Sequence, residues 1–277
     1  MSNPLDTGDL RVRVQAVVDA EISSQSEVLS EIGDDLTSLV AAVGDLMRGG
    51  KRLRAAFLYW GYRAGGGPDN EAIIRAATAM EFFQAAALLH DDVMDDSDTR
   101  RGMPAAHRRL ADQHAAAGWT GNGDRFGVAG AILAGNLCLT WTDGLFATSG
   151  LTVAELTRAR PVFDRMRTQL MGGQFLDVLE SVRGWDDLST DQQVARARKV
   201  IRYKSAKYSI EHPLLIGAAA ADVSVPDRAA LSAYGLDLGE AFQLRDPARV
   251  ADVVVGVEVE EPRHDGLNCG MSFRCEQ

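Results

Sequence analysis

The sequence is short of cysteine: Cys138, Cys269 and Cys275 are the only three in 277 residues. So few, so widely spaced, cannot form the disulfide framework of a small secreted domain. No charged-then-apolar leader opens the sequence, which sets the expectation of a cytoplasmic protein. Uninterrupted apolar runs are missing too. Even the Ala-rich stretch from Ile73 to Leu89 contains Arg75, Glu81 and Gln84, so a membrane-spanning chain is not expected. Positive charge is in deficit, with a net charge of −10 and a pI near 5.0. Sequence-independent affinity for nucleic acid comes from many cations displacing counterions, so a nucleic-acid binder is not expected. Any phosphate chemistry must be local.

What is abundant is helix-forming sequence. Ala, Leu, Glu and Arg recur at helical spacing from Leu10 to Gln243, with almost no β-branched alternation. Gly49-Gly50, Gly65-Gly66-Gly67-Pro68, the segment from Gly118 to Gly123, Gly184 and Pro226 punctuate it into helices of ordinary length. An all-α antiparallel bundle over residues 1–246 follows, as one domain. Residues 247–277 differ in kind, being Val-rich and then Pro-, Gly- and Cys-containing. They read as a divergent tail.

The densest chemical signal is His90-Asp91-Asp92-Val93-Met94-Asp95-Asp96-Ser97-Asp98. Asp91 and Asp95, four apart, share a helix face. Their repulsion is relieved by a divalent cation, and all-oxygen ligands favour Mg²⁺ or Mn²⁺ over zinc. An isolated acidic run is most often a solvated helix end. Two basic groups flank this one: Gly49-Gly50-Lys51-Arg52-Leu53-Arg54 upstream and Arg100-Arg101-Gly102 downstream. Glycines admit close backbone approach, a helix N-terminus offers free N–H groups, and paired arginines grip phosphate oxygens. Lys204 adds a cation on a later helix, although a single helical lysine is usually solvated surface. Gln174, Asp177, Gln243 and Asp246 are polar groups in apolar helical context, a pattern usual for satisfied core groups or caps.

Taken together, GGKRLR (49–54), QAAALLHDDVMDDSDTRRG (84–102), GGQFLD (172–177), KSAKYS (204–209) and FQLRD (242–246) stand in one order and spacing. That arrangement resembles the trans-isoprenyl diphosphate synthases, geranylgeranyl-diphosphate-synthase-like, over residues 45–246. The resemblance implies an isoprenoid-synthase-type bundle around a central cavity. It also implies Mg²⁺-dependent condensation of isopentenyl diphosphate with an allylic diphosphate, and a homodimer. In such an enzyme Lys51, Arg54, Gln84 and Arg101 would hold the isopentenyl diphosphate, many relatives having His where this chain has Gln84. Arg100 and Lys204 would contact the allylic diphosphate, and Asp91 and Asp95, supported by Asp92, would hold metal. Gln243 and Asp246 would open the second metal motif.

Chain length in such enzymes is set one turn before the acidic motif. Ala87 and Ala86 are small there, and Phe83 lies a turn deeper, so the resemblance implies a geranylgeranyl product. After Asp246 the family pattern stops: Pro247 follows, and no lysine occurs beyond Lys207. The expectation is therefore that the last helices are missing, and that a homologue binding diphosphates, or pairing with an intact subunit, without turnover is the rival reading. A class I terpene cyclase would share the acidic motif but would have no use for GGKRLR.

Overall fold

The computed structural model describes residues 7–245. Leu10–Ser30 forms α1, Thr37–Met47 α2, Leu53–Ala64 α3, Glu71–Met94 α4, Ala106–Ala116 α5 and Gly123–Ala147 α6. Val153–Val182 forms α7 and Thr190–Val200 α8. From α8 the chain runs without interruption through a π-helical segment, Ile201–Glu211, into α9 (His212–Ala220), and α10 spans Val225–Leu244. The fold is the all-helical bundle that the glycine and proline punctuation implies.

The helix starts are set by local chemistry. The Asn70 side chain accepts from Ile73 N–H at 3.1 Å and opens α4. Thr152 and Glu155 form a capping box on α7, and Ser224 caps α10 with Pro226 in its first turn. The core lies mainly between α4, α6 and α3, with Phe82, Phe83, Met80 and Leu89 of α4 fully buried. Phe146 of α6 stacks on Phe163 of α7, ring centroids 4.3 Å apart. Among the described residues α4 is the one helix long and apolar enough to cross a membrane, and 78% of that stretch is buried inside the bundle.

Two features were not expected. Thr99–Arg100 and Met103–Pro104 pair as a minimal antiparallel hairpin, β1 and β2, with Arg100 opposite Met103. Its two turn residues, Arg101 and Gly102, both have positive φ (54° and 77°), as a primed two-residue turn requires. The second feature is the π segment, which is clasped on both sides by helices that approach it closely at glycines. A Cβ on Gly173 of α7 would stand 2.4 Å from the carbonyl carbon of Tyr203, and one on Gly239 of α10 would stand 2.7 Å from Ala206. Its i→i+5 bonding widens the turn, so residues four and five apart share a face.

Candidate active site

A cleft of about 500 Å³ opens between α4, α7 and the π segment. From α4 and its C-cap it is lined by Gln84, Ala87, Leu88, Asp91 and Asp95, which follow one helix face. From α7 come Gln174 and Asp177, and from the π segment Lys204, Ser205, Tyr208 and Ser209. Arg54, Arg100 and Gln243 also line it.

The acidic end is a network of opposite charges. Asp91 accepts from Gln174 Nε2 at 2.7 Å and pairs with Lys204 Nζ at 3.1 Å. Lys204 also pairs closely with Asp177, so one ammonium bridges α4 and α7. Burial alone would lower the Lys204 pKa, but Asp91 and Asp177 outweigh it and raise it. Arg100 donates from Nε to Asp92 Oδ1 at 2.7 Å and lies 3.5 Å from Asp91. Burial pushes the Asp92 carboxyl up and the Arg100 hydrogen bond partly offsets this. Asp95 stands at the solvent-open mouth, yet crowding by protein atoms and then the charges of Asp91 and Asp177 push its pKa up to about 6.

At the other end the Tyr208 hydroxyl donates to Gln84 Oε1. Arg54 donates to Ser209 Oγ at 2.6 Å, and its guanidinium carbon sits 4.3 Å from the Tyr208 ring centroid. Gln243 is 4% exposed, and its Oε1 has no hydrogen-bond partner among the described residues. A buried acceptor left open in a cleft wall is suited to a donor brought by ligand or water.

The structure thus brings together Arg54, Gln84, Ala87, Asp91, Asp95, Arg100, Lys204 and Gln243. Asp92 is buried behind the wall, and Ala86 and Phe83 are buried in the core off the cleft lining. Lys51 and Arg101 are exposed and stand outside the lining. The hairpin explains the division between neighbours: Arg100 turns to Asp92, while Arg101 donates to the Leu46 carbonyl at 3.1 Å, at the end of α2. Asp246 and the tail lie outside the described residues.

The donor set suits a hard cation, since Asp91 and Asp95 offer only oxygen and repel one another. Among the described residues no three ligating side chains gather round one point. Mg²⁺ commonly keeps water and takes one or two carboxylates plus substrate phosphate oxygens, so Asp91 and Asp95 are the residues that would hold it.

The family model described as polyprenyl synthetase matches residues 37–249. The chain belongs to this family of trans-isoprenyl diphosphate synthases. It is 30% identical over 212 residues to a geranylgeranyl diphosphate synthase of Methanosarcina mazei, covering 76% of this chain and 57% of that protein. It is 32% identical over 245 residues to a nonaprenyl diphosphate synthase of Mycobacterium tuberculosis, covering 84% and 58%. A crystal structure of geranylgeranyl pyrophosphate synthase from Corynebacterium glutamicum, complexed with isoprenyl diphosphate and magnesium, superposes with a TM-score of 0.81 at 37% identity. That match covers 87% of this chain and 68% of the other. The chain spans little more than half the length of these two curated relatives.

Proposed function

We propose that this chain is a prenyltransferase that joins isopentenyl diphosphate to an allylic diphosphate, with Mg²⁺ and a geranylgeranyl product. The observation that carries this reading is the polarity of one cleft. Carboxylates and their counter-cations, Asp91, Asp95, Lys204 and Arg100, occupy one end, while Arg54 and Gln84 occupy the other. Mg²⁺ held by Asp91 and Asp95 would supply charge neutralisation for a departing diphosphate. The work of the chain itself is electrostatic and positional. Lys204 and Arg100 direct N–H donors to where diphosphate charge builds as the allylic C–O bond breaks. Arg54 and Gln84 hold the second diphosphate, so that its homoallylic double bond meets the allylic cation. The apolar wall of Ala87 and Leu88 keeps water from that cation. The proton lost from the condensed product goes to the departing diphosphate, so no protein nucleophile is required.

The geranylgeranyl length is supported by the small Ala87 in the wall and by the geranylgeranyl synthases among the relatives. The relatives also include geranylfarnesyl and nonaprenyl diphosphate synthases, so length is the part that product analysis decides. A homodimer is supported by α6, whose outward face exposes Phe126, Ile132 and Leu133.

The test is condensation of isopentenyl diphosphate with dimethylallyl, geranyl and farnesyl diphosphates, with and without Mg²⁺, using Asp91→Ala as control. A twenty-carbon product abolished by chelation and by Asp91→Ala supports the reading. Folded protein that binds both diphosphates without product would establish the non-catalytic homologue instead.

A further inference from the structure

The Lys51-to-Arg54 turn is built around a residue that the motif leaves without a role. Arg52 is the N-cap of α3, 6% exposed, and sits in the left-handed region at φ 52°, ψ 37°. A non-glycine side chain is strained there, and such strain persists only where the surroundings impose it. They do so here. The Arg52 guanidinium donates to Glu81 Oε2 at 3.2 Å, to the Met47 carbonyl that ends α2, and to Gln15 Oε1 of α1. Glu81, 7% exposed on α4, spends its other oxygen on Ala55 N–H at 3.2 Å, in the first turn of α3. One carboxylate therefore pins both the strained residue and the helix start that follows it. Glu81 lies one turn from Gln84 on α4, so the same helix fixes the turn and a residue of the cleft wall.

We infer that Arg52 and Glu81 are positioning residues that hold the Lys51–Arg54 turn in the conformation that receives the diphosphate of isopentenyl diphosphate. Gln15 brings α1, which lies outside the family match of residues 37–249, into that clamp. This inference rests on the proposed function only for the identity of the ligand. Arg54 lines the cleft, while Arg52 is turned back into the protein. Releasing the clamp lets the turn relax, and the relaxed state must be reorganised each time the ligand binds.

The experiment is calorimetric binding of isopentenyl diphosphate and, separately, of geranyl diphosphate to wild type, Glu81→Gln, Arg52→Ala and Arg52→Gly, with folding checked by circular dichroism. Glu81→Gln is expected to weaken isopentenyl diphosphate by about tenfold and geranyl diphosphate by less than about twofold. Arg52→Gly adopts the left-handed turn without strain, whereas Arg52→Ala keeps the strain and loses the clamp that imposes it. The alanine variant should therefore bind isopentenyl diphosphate about fivefold more weakly than the glycine variant. A merely structural role would move both ligands together, and that result would overturn the inference, as would unchanged isopentenyl diphosphate affinity. If Glu81→Gln does not fold, the same two-ligand comparison on Arg52→Gly decides. A wild type that binds isopentenyl diphosphate without turnover refutes the proposed activity and leaves this inference to be judged on binding. A wild type that does not bind it overturns both.

Discussion

The Tyr208 hydroxyl donates to the Gln84 side-chain oxygen, tying the π-helical segment to α4 across the cleft. An amide whose oxygen is occupied presents its NH₂ group elsewhere, and Gln84 lines the cleft. Tyr208→Phe keeps the ring under Arg54 and against Phe83 while deleting that one donor. The Michaelis constant for isopentenyl diphosphate should rise about fivefold, with that for the allylic diphosphate little changed. Steady-state kinetics with each substrate varied in turn would check it, and equal shifts in both constants would rule out a substrate-specific role for this hydrogen bond.

Gly173→Ala should damage the protein more than a surface alanine could. The new Cβ would meet the Tyr203 and Lys204 backbone, 2.4–2.6 Å away, rather than a flexible side chain. Overpacking of this kind costs about 1–3 kcal/mol. It would also push the backbone that carries Lys204 away from Asp91. Thermal unfolding should shift down and activity should fall beyond what the lost stability explains. A variant with wild-type melting and wild-type turnover would mean that α7 can slide without consequence.

The bundle was legible because its punctuation is local: a glycine pair and a proline each act within a few residues. The π segment was not. Ile201–Glu211 has the composition of an ordinary amphipathic helix, and its register is associated with close packing at Gly173, Gly235 and Gly239, all distant in sequence. The same distance hid the partners of the motif residues. Gln174 and Asp177 have the pattern of satisfied polar groups, yet they hold Asp91 and Lys204. Tyr208 and Ser209 sat unassigned in KSAKYS, and Arg52 finds Glu81 29 residues away. A motif reports which side chains matter to chemistry, whereas their supports are fixed only by packing.

Acid should destabilise the fold through His212. Burial, with Lys207 and Arg165 nearby, pulls its imidazole from an ordinary 6.5 down to about 4, despite the neighbouring Glu211. A folded-state pKa below the unfolded one means that the stabilisation is complete above pH about 6.5 and is lost as pH falls toward about 4. Asp95 acts with the opposite sign in an overlapping window. Its carboxyl is raised to about 6 in the fold, so it favours the folded state as pH drops. Comparing wild type with His212→Gln isolates the histidine: the variant should show the shallower decline in melting temperature between pH 6.5 and 4. Parallel curves would assign the acid sensitivity to other groups.

Lys204 is the cation that bridges Asp91 and Asp177, with the Arg100 guanidinium 3.5 Å from Asp91. Lys204→Met leaves two carboxylates facing one another with Asp95 one turn away at the end of α4. Metal-free protein should then melt at a lower temperature near pH 7.5, because the carboxylate repulsion is left with Arg100 alone to offset it. Added Mg²⁺ should raise the melting temperature of the variant more than that of wild type, since the ion would now relieve a repulsion that the lysine otherwise relieves. Turnover should nonetheless fall by about a hundredfold or more, because a metal at the carboxylates does not replace an N–H donor aimed at the leaving diphosphate. Thermal shift against Mg²⁺ concentration separates these roles. An equal Mg²⁺ gain in the two proteins would show that Lys204 does not share the electrostatic duty of the metal. Loss of turnover would then have to come from displacement of the π segment itself.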